Sequence, residues 1–389
     1  MKGTIIIVTL IASSMLLSCN SDKAKLKNAE EQLSLLLQDA EKSESNPRTI
    51  DVNGKTKWVS SNFDWTEGFF PGTCWYLYEY SKDTKWKEAA EKFQSKFRNQ
   101  TNASTHDLGF VFGCSFGNGY RLTSNEEFKQ VMIEAANTLA SRFNPVVGAI
   151  KSWNTDRGWQ ATRGWSYPVI IDNMMNLELL FEASKLTGDP KYKNVAIAHA
   201  NTTMKNHFRK DFSSYHVIDY DINTGKVLHK QTAQGYSDDS DWARGQAWGL
   251  YGFTVCYRYT KDKKYLDFAC NIADFILNNP KLPEDLIPYW DYSDPKIPDA
   301  LVDVSAATIT ASALYELDSY CSNKYKSKAD IIMNSLATEK YTAAIGSNNH
   351  FVLKHSVGAF PQGNEIDVPL NYADYYYIEA LLRKNSDKF

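Results

Sequence analysis

The segment Ala247-Trp-Gly-Leu-Tyr-Gly-Phe-Thr-Val-Cys-Tyr-Arg-Tyr-Thr260-Lys-Asp-Lys-Lys-Tyr265-Leu-Asp-Phe-Ala269-Cys-Asn-Ile-Ala-Asp-Phe-Ile276 decides the fold. Two apolar runs with the helical spacing i, i+3, i+4, i+7 are split by the polar turn Thr260-Lys-Asp-Lys-Lys-Tyr265. The Asp in that turn suits the N-cap of a second helix. The unit is a helical hairpin. The same succession of polar turn, aromatic and Ala-rich helix recurs at Ser81-Lys-Asp-Thr-Lys-Trp86, Thr123-Ser-Asn-Glu-Glu-Phe128, Thr187-Gly-Asp-Pro-Lys-Tyr192 and Cys321-Ser-Asn-Lys-Tyr325. Pro190 sits just inside its helix, where a missing N–H costs nothing. Five hairpins account for residues 65 to about 338, and helices predicted over 29–42 and 372–384 pair as a sixth. A repeat of this length means a solenoid or a closed ring. The ring of six hairpins is an all-α (α/α)6 barrel; an open superhelix is the alternative. The inserts 144–169 and 208–242 hold Gly, Trp, Asp, His and Arg rather than linker composition, so they are cleft loops of one domain spanning 29–389. Short strands are predicted over 215–219 and 226–230.

Composition agrees with a globular enzyme or binding protein and excludes other classes. Of 389 residues, 43% are apolar and 23% charged, which excludes collagen and wholesale disorder. A net charge of −3 lacks the basic excess of a nucleic-acid groove. The 10 Trp, 23 Tyr and 19 Phe fit either a large aromatic core or a cleft that stacks sugar rings. The start of the chain has a separate purpose. Lys2, an apolar run over 4–17 and Ser18-Cys19 form a secretory signal, shorter than the ~20 residues of a spanning helix. Leu16-Leu17-Ser18-Cys19 resembles a bacterial lipoprotein signal, with an ordinary signal peptide as the alternative. That resemblance implies a leader over 1–18, a lipid on the Cys19 thiol and a polar tether over 19–28. The protein would then sit in the bacterial cell envelope, periplasmic or cell-surface, held to the membrane only by that lipid. The other five cysteines are odd in number and have no C-x-x-C spacing, so buried thiols are expected rather than a disulfide framework or a zinc site.

Each inner helix begins beside conspicuous side chains: Asp64-Trp65-Thr66-Glu67, His106-Asp107, Asp172-Asn173, residues 239–246, Asp303-Val304-Ser305 and Asp374. Any one carboxylate there is explained by N-capping. In a ring, however, all six starts open on one mouth, which brings several carboxylates to one ligand. Asp107 and Asp172 are the best candidates for chemistry, because their neighbours are apolar. Desolvation and a second carboxylate both raise an acid's pKa, which suits a general acid at neutral pH. Trp153, Trp159, Trp165, Trp242 and Trp248 lie on or near the inserts and are placed to stack on a sugar or to fill the core. His216, in the insert Ser213-Ser-Tyr-His, reaches toward the mouth. No metal or cofactor is implied. The seven His are scattered without H-E-x-x-H, the glycines of Gly113-Cys-Ser-Phe-Gly-Asn-Gly119 match neither phosphate-binding spacing, and Gly-x-Ser-x-Gly is absent. Asp238-Asp239-Ser-Asp241 lacks the glycine and terminal Glu of a calcium loop.

His106-Asp-Leu-Gly-Phe110, Tyr167-Pro-Val-Ile-Ile-Asp-Asn-Met-Met-Asn176, Gln234-Gly-Tyr-Ser-Asp-Asp239 and Trp242-Ala-Arg-Gly-Gln-Ala-Trp248 resemble, in the same order, glycoside hydrolase family 88, the unsaturated glucuronyl hydrolases. The resemblance covers roughly 65–382 and implies the (α/α)6 barrel. It also implies removal of the 4,5-unsaturated uronic acid that polysaccharide lyases leave at the non-reducing end of glycosaminoglycan fragments. The partner would be an anionic unsaturated oligosaccharide of chondroitin, hyaluronan or heparin type. The resemblance assigns the general acid/base to Asp172 and the second essential carboxylate to Asp107. It places substrate-binding residues at Trp65, His216, Gln234, Trp242, Arg244 and Trp248, with one Tyr from 372–377 left open. The fork of Arg244 suits a uronate or sulfate; its alternative partner is Asp239 or Asp241. Unsaturated rhamnogalacturonyl hydrolases of family 105, acting on pectin fragments, are the nearest cousins, but Gln246-Ala-Trp248 departs from their pattern. A glycan-binding lipoprotein without catalysis would have no need of two acids at apolar helix starts. A sugar epimerase on the same barrel would need a His pair in the mouth, which the sequence does not point to.

Overall fold

A computed structural model describes residues 3–60 and 62–386, with side chains from Asp22 onward. Twelve α-helices occur among the described residues: α1 (Gly3–Ser43), α2 (Phe69–Ser81), α3 (Thr84–Ser95), α4 (Asn118–Thr123), α5 (Glu126–Ser141), α6 (Leu177–Thr187), α7 (Pro190–Asn206), α8 (Ala243–Thr260), α9 (Lys263–Leu277), α10 (Val304–Tyr320), α11 (Lys326–Leu336) and α12 (Asn371–Lys384). The turns predicted from sequence cap the outer helices. Asp83, Asn125, Asp189 and Asp262 each accept the backbone N–H two residues on, at 3.0, 2.9, 2.9 and 3.1 Å. The fifth turn differs: Asp318, from the preceding helix, accepts the N–H groups of Tyr325 and Lys326 at 2.7 and 2.9 Å.

The aromatic that follows each turn explains why the repeat carries one. Trp86, Phe128, Tyr192, Tyr265 and Tyr325 are all buried. Four of them also bond the neighbouring outer helix: Trp86 to Glu30 of α1 at 2.8 Å, Tyr192 to Asn137 of α5 at 2.8 Å, Tyr265 to Asn201 of α7 at 2.9 Å, and Tyr325 to Asp274 of α9 at 3.1 Å. A large apolar ring fills the inter-helix space while its polar tip finds a partner. The outer ring is stitched this way. The inner ring is α2, a π-helical segment (Gly109–Gly117) running into α4, a 3₁₀ segment (Ile171–Asn176) running into α6, then α8, α10 and α12. It closes where α12 packs on α2, and α1 packs on α12 as the sixth outer partner. One apolar core runs from Leu26 to Leu381. The fold is the (α/α)6 barrel.

Three details depart from the sequence expectation. The tether expected over 19–28 is not free from Asp22 onward: α1 passes through it with Leu26 buried. Leu26, Ala29, Leu33, Leu36, Leu37 and Ala40 keep a helical spacing, and the charges that resembled a solvated spacer have partners. Asp22 pairs with Lys384 at 2.9 Å, and Lys25 donates to Asn334 at 2.7 Å. Cys19 and the leader 1–18 lie outside the residues whose side chains are described. Secondly, the inner segment just after Asp107 is π and the one carrying Asp172 is 3₁₀ rather than α, where their backbones approach closely. A Cβ on Gly109 would lie 2.4 Å from the Asn176 Cα, and the Phe110 N–H donates to the Asn176 side-chain oxygen at 3.0 Å. Irregular helix at such a contact is common where function sits. Thirdly, the inserts hold more strand than expected. Beside the hairpins β1 (Pro47–Ile50)–β2 (Thr56–Trp58) and β3 (Phe143–Asn144)–β4 (Ala149–Ile150), a three-stranded antiparallel sheet joins β5 (Tyr167–Ile170), β6 (Val217–Tyr220) and β7 (Val227–Gln231). Val169 pairs with Ile218, which delivers Asp172 and His216 from adjacent strand ends. A last hairpin joins β8 (Ser356–Ala359) to β9 (Asn364–Val368).

Candidate active site

Asp172 stands on the first turn after β5 and is 8% exposed. Its Oδ2 makes no hydrogen bond; the nearest cationic-type atom is His216 Nε2 at 3.6 Å. Burial pushes its pKa up to about 7, opposed by the Arg244 charge and helped by the Asp107 charge. The His216 tautomer follows from its partners. Nδ1 accepts the backbone N–H groups of Ala233 and Gln234 at 3.0 and 3.1 Å, so the ring proton of the neutral form is on Nε2, facing Asp172. Burial and the Arg244 charge hold His216 well below the ordinary histidine range, so it stays neutral. Asp107 accepts from Thr105 at 2.8 Å. The preceding residue, His106, donates Nδ1–H to the Ser152 carbonyl at 2.9 Å, which turns Nε2 to Asp107 Oδ1 at 3.2 Å.

Aromatic rings surround the two carboxylates. Trp153 stands edge-on to His216 at 5.9 Å, and His216 tilts against Trp242 at 4.7 Å. The Arg244 guanidinium lies 4.4 Å from the Trp242 ring centroid and 5.6 Å from that of Tyr372. Tyr372 contacts Trp65 at 5.0 Å, Trp65 contacts Phe110 at 5.3 Å, and Phe110 contacts Trp248 at 5.1 Å. Side chains at or near the starts of α2, α8 and α12 and of the segment after Asp107 thus form one chain of ring contacts. An open cleft of about 480 Å³ is lined by Trp65, Asp107, Trp153, Asn154 and Arg157 among others. Its wall includes Arg48, which is committed to Asp64 at 2.6 Å and Glu365 at 2.5 Å.

The expected binding residues thus differ in what they touch. Trp65 lines the cleft. Trp248 is fully buried between Phe110 and Tyr376, so no face is left for a sugar; its indole N–H is close enough to Asp172 to favour the carboxylate, though it completes no hydrogen bond. Gln234 donates to the Gly358 carbonyl at 3.2 Å. Arg244 is 1% exposed and pairs with neither Asp239 nor Asp241. It bonds Asp303 at 2.9 Å and the Val357 and Gly358 carbonyls, leaving Nε unpartnered. Asp241 pairs with Arg209 at 3.0 Å instead. Asp374 is a structural acceptor, taking the N–H groups of Val352 and Leu353 at 2.9 Å each. Of the tyrosines over 372–377, Tyr372 is the one at the mouth, and its buried hydroxyl has no partner. Tyr375 bonds Asn118 and Tyr76 deeper in the barrel. The roles of His106, Asp303 and the β8 carbonyls emerge only in the folded structure. The first two stood in singled-out motifs, but a backbone carbonyl has no sequence signature.

This arrangement offers a carboxyl that holds its proton near neutrality, a neutral imidazole donor, a fixed cation and a second carboxylate, Asp107, that lines the cleft beside Trp65 and Trp153. Comparison with known proteins bears on what it acts upon. The sequence model described as Glycosyl Hydrolase Family 88 matches residues 36–377. The unsaturated glucuronyl hydrolase of Formosa agariphila is 46% identical over 343 residues, covering 87% of this chain and 84% of that protein. The unsaturated chondroitin disaccharide hydrolase of Streptococcus agalactiae is 35% identical over 344 residues, covering 85% and 83%. The crystal structure of an unsaturated glucuronyl hydrolase specific for heparin superposes with a TM-score of 0.88 at 46% identity, covering 93% of this chain and 96% of that one. With the family's sequence running through both carboxylate-bearing segments and the barrel matched nearly end to end, the chain belongs to glycoside hydrolase family 88.

Proposed function

We propose that this chain removes the 4,5-unsaturated uronic acid from the non-reducing end of lyase-made glycosaminoglycan oligosaccharides. The observation that carries the proposal is Asp172, a buried carboxyl raised to about 7 and close enough to feel the charge of Asp107, which lines the cleft. The C4=C5 bond of the substrate is an enol ether. Asp172 protonates C4, and the ring oxygen supports the resulting cation at C5. Asp172, now a carboxylate, takes a proton from water as that water adds to C5. The hemiketal opens and expels the aglycone, with no attack at C1. The spacing rule for retaining and inverting glycosidases therefore does not apply. Asp107 stabilises the developing cation, and the His216 Nε2–H is placed to orient Asp172. Arg244, held by Asp303 and β8, supplies fixed positive charge for the uronate. The curated relatives, named for unsaturated glucuronyl and chondroitin disaccharide substrates, support this substrate class.

The test is incubation with lyase-made disaccharides of chondroitin, hyaluronan and heparin, following loss of the double-bond absorbance. In heavy water the product should carry deuterium at C4. Turnover with none at C4 would point to attack at C1 and sink the mechanism. Turnover of pectin-derived disaccharides alone would move the substrate to the rhamnogalacturonan class.

We further propose that the protein is an envelope lipoprotein anchored through Cys19, on the strength of Lys2, the apolar run and Leu16-Leu17-Ser18-Cys19. Cys19→Ser should move it from the membrane fraction to a soluble one. Unchanged membrane association would refute the anchor.

A further inference from the structure

Two of the free cysteines lie side by side. The Cys270 and Cys321 sulfurs are 3.1 Å apart, about 1 Å from the ~2.05 Å of a disulfide. Cys270 lies on α9 and Cys321 caps the C-terminus of α10; both are half-buried and reachable from solvent. Tyr325 already ties the two elements beside them, its hydroxyl bonding Asp274 at 3.1 Å and the Cys270 carbonyl at 3.2 Å. The other described cysteines have no such neighbour. Burial drives the Cys74, Cys114 and Cys256 thiols above their ordinary range, which makes them inert. At Cys270 the thiol of Cys321 and the nearby Lys324 ammonium act in the opposite direction and favour the thiolate.

We propose that Cys270 and Cys321 are a modification site: they form an intramolecular disulfide by exchange with an oxidised thiol carrier, either a thiol–disulfide oxidoreductase or a small disulfide such as oxidised glutathione. The Cys270 thiolate attacks one carrier sulfur and releases the other as a thiol, giving a mixed disulfide. Cys321 loses its proton and attacks the Cys270 sulfur, expelling the second carrier thiol. The two protein thiols lose two electrons and two protons, and the carrier disulfide gains them. The bond spans a sequence separation of 51 residues, and the loop it closes contains two supports of the active site. Asp291 accepts from the Tyr236 N–H at 2.8 Å and the Ser240 hydroxyl at 2.7 Å, and Asp303 holds Arg244. The staple therefore fixes the outer wall behind those supports.

The test needs no substrate, so its outcome is separate from that of the hydrolase proposal. The full chain is treated with oxidised glutathione, unfolded in guanidinium with an alkylating reagent, and mapped by peptide mass spectrometry. The expected product is a cross-linked Cys270–Cys321 peptide, lighter by two hydrogens than its reduced halves, while Cys74, Cys114 and Cys256 are alkylated. Reduction should free both thiols and lower the Tm by about 3–5 °C. Cys270→Ser and Cys321→Ser should each melt like the reduced protein and ignore reductant. Full alkylation of both residues after oxidation would overturn the proposal, as would a glutathione adduct that stays on either one. A cross-linked peptide with a Tm that reductant leaves unchanged would overturn the claim that the bond fixes the outer wall.

Discussion

Asp172 is fully dependent on its surroundings for the proton it carries at neutral pH. Replacing it with Asn keeps the shape and removes that proton. Because one group performs both proton transfers, the loss in kcat should reach or exceed the upper end of the ~10²–10⁴-fold typical of general acid–base groups, with substrate binding retained. Single-turnover kinetics beside a binding titration separates the two. Asp107 acts on the same group through its charge, which helps hold the Asp172 pKa up. Asp107→Asn removes that charge and lowers the Asp172 pKa. The alkaline limb of the kcat–pH profile, set by loss of the Asp172 proton at about 7 in the native enzyme, should then move to lower pH. A slower enzyme with an unmoved limb would mean that Asp107 acts by contact with substrate alone.

The two irregular inner segments are the elements on which the site depends. The π segment places Asp107 and the 3₁₀ segment places Asp172, and they touch at Gly109 and Asn176. A methyl group at residue 109 would sit 2.4 Å from a backbone atom, where no side-chain rotation relieves the clash. Gly109→Ala should therefore cost about 1–3 kcal/mol of stability, the usual range for overpacking. It should cost more activity than that figure implies, since the clash separates the two acids. Thermal melts against kcat/KM of the folded fraction test this. A variant that loses stability alone would show that the acids tolerate the shift.

Across the whole molecule, buried titratable groups set how stability varies with pH. Glu67, Asp172, Asp374 and Asp241 are buried or partly buried carboxyls raised to about 8, 7, 7 and 6, and burial raises Asp291 as well. The folded state holds their protons above pH 4 and the unfolded state does not, so their contribution falls as pH rises through those values. His106, His199, His207 and His216 are shifted the other way: burial keeps them neutral in the fold. Unfolding lets them take protons, so stability falls as pH drops below the ordinary histidine value of about 6.5. The two groups oppose each other below neutrality, and above it the carboxyls dominate, so the Tm should fall as pH rises from about 7 to 8. Unfolding should release protons into a weakly buffered solution at about pH 7.5, which potentiometry measures directly. Proton uptake there would mean that the raised carboxyls titrate normally.

The hairpin count, the turn caps and the closure of the barrel were legible in the chain alone. They rest on signals a few residues long: an Asp or Asn at a cap, an aromatic behind it, and apolar residues every three or four positions. Convergence of Asp107 and Asp172 was legible too, because it follows from closing such a ring with all inner helices running one way. The pairing of Arg244 was not. Asp303 and the Val357 carbonyl that hold it lie 59 and 113 residues away, and the nearer Asp241 goes to Arg209. The helical continuation through 22–28, the π and 3₁₀ geometry of the acid-bearing segments, and the Cys270–Cys321 contact belong with it. Local propensity determines which elements form and in what order. Which charge meets which, and which backbone must bend to let another approach, is decided only when distant elements compete for the same few ångströms.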